Sequence, residues 1–163
     1  MDKKIQLSPV ITGCMKWGQW GSSFSTSVYL KTIEACVENN ITSFDHADIY
    51  GDYTTEEEFG NALKINSHLR QKIQLITKCG IKMISDNKSE HKIKSYNTSK
   101  KYIIQFAEKS LKNLHSDYVD VFLIHRPDSL MNPEEIAEAF STLKQQEKYC
   151  ILEYPTLPLP RLP

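Results

Sequence analysis

Short β-prone runs alternate with amphipathic helical stretches along this chain, and that alternation limits its fold more than any other feature. Pro9–Cys14 reads as a strand that ends at a glycine, and residues 15–25, with two Trp and several Ser, read as a loop. Tyr29, Ile33, Cys36 and Val37 form one apolar stripe, which predicts a helix over about 27–39, ended by Asn39-Asn40. Ile41–Phe44 is a second strand. Thr55 and Glu58, at capping-box spacing, open a second helix through Phe59, Ala62 and Leu63. Ile73–Thr77 is a third strand, and residues 80–98 are polar, lysine-rich and aperiodic, a long loop. A third helix runs from Ser99, with Ile103, Ala107, Leu111 and Leu114 on one face. Tyr118–Ile124 is a fourth strand. Asn132-Pro133, an N-cap and N1 pair, opens a fourth helix with Ile136, Ala139, Phe140 and Leu143 inward.

A β-α repeat of this kind predicts a parallel sheet with helical crossovers. Two architectures compete: an open doubly wound sheet and part of a (β/α)8 barrel. Asp45, Lys78 and His125 each follow a predicted strand directly. At the C-terminal ends of barrel strands they converge on one mouth, whereas an open sheet offers no such convergence. The chain contains no G-x-G-x-x-G, so the dinucleotide fingerprint of the open fold is missing.

Charge narrows the partners. Lys plus Arg and Asp plus Glu number 20 each, giving a formal net charge of zero and no electrostatic case for a nucleic-acid or anionic-membrane partner. No apolar run approaches the roughly 20 residues of a membrane span. Met1-Asp2-Lys3-Lys4 leads into no signal-like segment, so the expected compartment is the cytoplasm. Cys14, Cys36, Cys79 and Cys150 form no C-x-x-C pair and read as reduced, quietly packed thiols, not as zinc ligands. His46, Asp48 and Asp52 match no standard metal geometry and read as turn capping. Glu56-Glu57-Glu58 complements a helix N-terminus, and the six lysines between 82 and 101 read as a solvated loop.

The segment Phe44-Asp45-His46-Ala47-Asp48-Ile49-Tyr50-Gly51, taken with Ile76-Thr77-Lys78 and Leu123-Ile124-His125-Arg126-Pro127, resembles the active site of the aldo-keto reductase family. The likeness runs from about residue 5 to about 148. Each motif alone has an ordinary explanation, such as a turn cap, a loop aromatic or a solvated strand end. Their order on successive strands is what makes the set specific. The resemblance implies the first half of a (β/α)8 TIM barrel and an oxidoreductase that reduces an aldehyde or ketone with hydride from NADPH. It implies that Tyr50 is the general acid, that Lys78 lowers its pKa, that Asp45 holds Lys78, and that His125 orients the substrate oxygen. A neighbouring ammonium is the expected device, because a phenol with pKa near 10 is a reluctant acid at neutral pH. The backbone of Gly13, Cys14 and Met15, together with Asp45, would lie near the cofactor, and Trp17 and Trp20 would line the substrate mouth.

Members of this family continue past the fourth helix with a Gly-Lys turn and a fifth strand. Here Gln146–Cys150 and the following residues, with prolines at 155, 158, 160 and 163, show neither period. The expected organisation is therefore a barrel portion over 1–148 and an aberrant Pro-rich tail over 149–163, as after a frameshift or truncated reading frame. A barrel of this kind takes about 250 residues. The family's cofactor grip comes mostly from strands five to eight. The expectation is a weak or inactive enzyme; the alternatives are a non-catalytic remnant or an interaction module, and a homodimer of two halves stays open.

Overall fold

The structure, a computed structural model, describes residues 5–146 and 148–153. In chain order its elements are β1 (Ile11–Gly13), α1 (Thr26–Glu38), β2 (Ser43–Asp45), α2 (Tyr50–Tyr53), α3 (Thr55–Ile65), β3 (Gln74–Cys79), β4 (Ile81–Lys82), β5 (Ser95–Tyr96), α4 (Lys100–Asn113), β6 (Val119–Ile124), α5 (Pro133–Gln145) and β7 (Tyr149–Glu153). A 3-10 turn, Ser67–Lys72, leads into β3.

The main sheet has the order β1-β2-β3-β6-β7, and every pairing in it is parallel. Chain order and spatial order agree, without the reversal that marks a doubly wound sheet. The helices also lie on one face. Tyr29 and Ile33 of α1, Phe59 and Leu63 of α3, Ile103 and Phe106 of α4, and Ile136 and Leu143 of α5 share one core with Phe44, Leu75 and Phe122 of the strands. One covered face and sequential parallel strands make this half of a (β/α)8 barrel. Along β3 the pleat alternates: Leu75 and Cys79 join the helix-side core, while Ile76 lies outside it. A second cluster, Ala47, Ile49, Tyr50, Tyr53 and Ile81, closes over the strands' C-terminal ends. No helix among the described residues is long and apolar enough to cross a membrane.

Several local expectations need correction. The Thr55–Glu58 capping box does not form. Thr54 is the N-cap of α3 and Thr55 is already helical. Glu58 instead accepts from the Tyr29 phenol at 2.9 Å and the Thr54 hydroxyl at 3.2 Å, tying α1 to α3. Residues 80–98 are more than a loop, because β4 and β5 pair antiparallel within them. Two-residue strands are too short to show a period. Tyr149–Glu153 was expected to be aberrant tail, yet it is the fifth strand of the sheet, with Val119 opposite Tyr149 and Val121 opposite Ile151. The Tyr149 ring meets Phe122 edge to face at 5.6 Å. The open edge of β6 accepts a strand-tolerant Tyr-Cys-Ile-Leu-Glu run, which a composition averaged over 15 proline-punctuated residues conceals. The remainder of that predicted tail, 154–163, lies outside the described residues.

At the N-terminal end of the strands, Arg70 is built into the sheet. Its guanidinium donates to the Ser116 hydroxyl (2.7 Å), to the Ile73 and Tyr118 carbonyls (2.9 and 3.0 Å) and to Asp120 (2.7 Å), and it stacks on the Tyr118 ring. The same Asp120 oxygen accepts from Leu75 N at 2.9 Å. Both side chains are nearly buried, so removing one partner strands the other charge. Arg70→Met is expected to lower the unfolding free energy by about 3–5 kcal/mol in urea melts. A loss under about 1 kcal/mol, the range of a surface pair, would contradict this reading.

Candidate active site

Parallel pairing carries three chemically able side chains to the same end of the sheet. Asp45 is the last residue of β2, Lys78 the penultimate residue of β3, and His125 follows β6 directly. Asp45 lies opposite Ile76 and Lys78 opposite Leu123. The ladder runs on past the strands: His46 N donates to Ile76 O (2.8 Å), Asp48 N to Lys78 O (3.0 Å) and His125 N to Cys79 O (2.7 Å). Those bonds hold the loops that bear the site.

Tyr50, the first residue of α2, completes the set. The Lys78 ammonium donates to Asp45 Oδ1 and to the His46 carbonyl, the latter at 2.7 Å. The Tyr50 hydroxyl donates to the other Asp45 oxygen at 3.3 Å. Lys78 Nζ lies 5.2 Å from the Tyr50 ring centroid. The His125 ring stands edge to face against Tyr50, centroids 6.0 Å apart. Asp45 is thus the hub of a four-residue cluster.

The backbone after Tyr50 is unusual. Gly51, Asp52 and Tyr53 all have positive φ, 57°, 60° and 69°. A Cβ on Gly51 would sit 2.2 Å from Thr55 Oγ1, so both conformation and space select glycine there. Strain in the two residues that follow is held by the 80–98 segment. Asn87 Nδ2 donates to the Asp52 carbonyl at 2.9 Å, and Met83 N donates to the Tyr53 hydroxyl at 2.8 Å. His91 donates from Nδ1 to Met83 O at 3.1 Å.

The electrostatics differ from the expected pattern in one respect. The net shift of the Tyr50 pKa is upward. Burial raises it first, followed by the charge of Asp45 and the hydrogen bond to it. The ammonium is engaged by Asp45 and a carbonyl, and a phenol that donates to a carboxylate prefers to keep its proton. Arg126, which has φ 80°, opposes the rise. His125 is held neutral: burial, then Lys78 and Arg126, bring its pKa down to about 4.

Other predicted site residues divide. Gly13 has open space where a Cβ would stand, Met15 is exposed, and the Cys14 amide donates to Asp45 O at 3.0 Å with its thiol fully buried. Trp20 packs near Tyr50, centroids 6.4 Å apart. Trp17 does not line a mouth. It is buried among Phe24, Tyr29, Phe44 and Phe59 in the helix-side core. An indole in a loop carries no signal that separates these two fates. His46 and Asp48 are buried, and His46 sits edge-on to Phe59 at 4.4 Å, its pKa lowered by burial to about 3. Glu56, expected on a helix surface, is buried and accepts from Thr77 Oγ1 at 2.7 Å and from Asn113 Nδ2 at 3.3 Å. Arg126, beside Tyr50, and Glu56, in the core, are charged groups to which pattern reading gave no such part.

The profile of the aldo/keto reductase family matches residues 9–148. The chain belongs to that family. This aldo/keto reductase sequence is 50% identical over 144 residues to the uncharacterized oxidoreductase YcsN of Bacillus subtilis, covering 88% of this chain and 47% of that protein. It is 39% identical over 143 residues to a 6-dehydroglucose reductase of Agrobacterium fabrum, covering 88% of this chain and 48% of that one. Among solved structures, an aldo-keto reductase from Bacillus halodurans in its holo form superposes with a TM-score of 0.77 at 27% identity, over 94% of this chain and 47% of that one. A glycerol dehydrogenase from Gluconobacter oxydans gives 0.79 at 25% identity, over 96% and 47%. This aldo/keto reductase chain therefore spans about half the length of the relatives it matches.

Because folding lowers the His125 pKa below the unfolded value near 6.5, the folded state favours the neutral ring. That contribution is present above pH 6.5 and is lost as pH falls through 6.5 towards about 4. An NMR titration of the His125 ring should show a midpoint near 4. A midpoint near 6.5 would mean that the ring is solvated and its neighbours are misplaced.

Proposed function

We propose that this chain carries the proton-transfer and substrate-orienting half of a carbonyl reductase site, for an aldehyde or ketone, with NADPH as the partner cofactor. The observation that supports the reading is the hub at Asp45, where one carboxylate binds both the Lys78 ammonium and the Tyr50 hydroxyl. Tyr50 is the group that gives up a proton, from its hydroxyl to the substrate oxygen as negative charge builds there. Its raised pKa keeps it protonated in the resting state, so it waits as an acid. Lys78, whose ammonium lies 5.2 Å from the Tyr50 ring centroid, then stands as a cation beside the phenolate. Asp45 holds Lys78 in reach of the ring. His125, neutral above about pH 4, is free to donate one hydrogen bond to the substrate oxygen without competing as an acid.

NADPH, when bound, supplies the hydride. The residues at the strand ends fit its reactive end: Gly13 leaves space, Met15 is exposed, and the Asp45 side chain is 30% exposed at the mouth. Trp20, beside Tyr50, is the aromatic that borders the substrate. The rest of the cofactor grip belongs, by resemblance to the family, to strands beyond those described, so these residues tested by themselves are expected to bind NADPH weakly. A soluble, cytoplasmic setting and a homodimer of two such halves fit the same reading.

Calorimetric titration of NADPH is expected to give a Kd weaker than micromolar, that is, less than about 8 kcal/mol of binding free energy. Residual reduction of a small aldehyde should fall about 10²–10⁴-fold in Tyr50→Phe, the range of a general acid. Turnover that survives this change would remove Tyr50 from its role. No turnover from a cooperatively folded wild-type chain would favour a non-catalytic remnant.

A further inference from the structure

Across α4 from the Asp45 cluster lies a second group of charged side chains that the reductase reading does not use. Phe106 is its floor. Tyr102 stacks on one face of the Phe106 ring at 4.2 Å. Two ammonium groups also lie over the Phe106 ring, Lys88 Nζ at 5.4 Å and Lys109 Nζ at 5.9 Å from the centroid. Lys88 also lies 5.7 Å from the Tyr53 ring, and its side chain is 17% exposed, so it is not the solvated loop lysine the sequence suggested. Its one carboxylate contact among the described residues, Glu90, is at 3.9 Å.

No carboxylate comes within ion-pair distance of Lys109 among the described residues. The acids behind it are poor counter-charges. Asp48 and Glu56, which line a narrow crevice with Lys109, Ser110 and Asn113, are buried, and burial raises both their pKa values. Half-burial and the Lys88 charge lower the amine pKa of Lys109, against smaller opposing effects of Glu56 and Asp48. A second cation beside a partly desolvated lysine is the arrangement that makes an amine nucleophilic near neutral pH. In front of Lys109, α3 and α4 form an open cleft lined by Lys112, His115, Asn113 and Glu57. Two cationic or cationisable groups against one carboxylate suit a small anion there.

We propose that Lys109 is a site of covalent N-acylation by acyl phosphates, with Lys88 tuning the amine and the Lys112–His115 cleft receiving the phosphate. The Lys109 Nζ lone pair attacks the acyl carbon, an N–C bond forms, and the C–O bond to phosphate breaks. Inorganic phosphate leaves with the electron pair, and the amine proton passes to water. The product is a neutral amide, which removes one cation from above Phe106. The groups that face Lys109 are Lys88 from the 80–98 segment, Tyr53 from α2, Asp48 from the turn after β2, Glu56 and Glu57 from α3, Lys112 from α4 itself and His115 from the turn after it. None belongs to the Asp45 cluster, so the proposal stands or falls apart from the reductase reading.

The test is incubation of the folded chain with acetyl phosphate at pH 8, with site-resolved rates from peptide mass spectrometry. Lys109 should be acetylated at least about fivefold faster than the exposed Lys64 and Lys101, as expected for a pKa lowered by a neighbouring cation. The preference should shrink in Lys88→Gln and vanish in urea, and Lys112→Gln should slow Lys109 with acetyl phosphate but not with neutral N-hydroxysuccinimidyl acetate. Equal rates at Lys109 and Lys64 in the folded wild type would overturn the proposal. So would a preference that persists in urea or is undiminished in Lys88→Gln.

Discussion

Register across β3 is the constraint on which the rest of this structure depends. That strand sits at the centre of the sheet and pairs on both sides. A slip by one residue would turn Lys78 into the helix-side core and bring Leu75 out of it. The register is pinned from the opposite end of the strand, where Asp120 of β6 accepts from Leu75 N of β3 while it holds Arg70. A structural ion pair at one end of the sheet thus fixes the positions of the polar side chains at the other.

Burial then decides what each charged group can do. Asp45 and Lys78 meet at a partly open mouth, where an ion pair keeps hydration and remains available to a third group, Tyr50. Asp48, three residues after Asp45, faces the other side and is sealed. Its carboxyl is driven towards neutrality by burial, with Glu56 adding to the effect. Two acids three positions apart in the chain therefore serve different purposes, one in an ion pair at a site and one as a buried core carboxyl whose pKa burial raises. The two lysines over Phe106 occupy the intermediate case, desolvated enough to perturb one another but open enough to react.

Much of this was legible in the chain. The four helical stripes and the first four strands are long or repeated enough to leave a period, and their alternation implied parallel pairing. The convergence of Asp45, Lys78 and His125 followed from their places after the strands, and the resemblance added Tyr50. What escaped was set by contacts distant in sequence. Thr55 and Glu58 satisfy a capping rule that depends on spacing, but Tyr29 from another helix takes the carboxylate. Trp17 and Trp20 stand three residues apart in one loop, and only the positions of Phe44 and Phe59 send one of them inward. The hairpin of β4 and β5 and the strand Tyr149–Glu153 are stabilised by a partner's free edge, which no local pattern records.

By itself, then, the sequence determined the order of the four long helices and of the strands β1, β2, β3 and β6, the covered faces of those helices, and which residue types stand at the strand ends. Period and side-chain chemistry are local, and a single chain displays them. Tertiary structure alone decided the protonation preferences. Whether Lys78 acts on Tyr50 or is engaged by Asp45, and whether Glu56 is a surface charge or a buried acid, depends on distance and desolvation. Those quantities arise only when residues from separate strands and helices share one low-dielectric space.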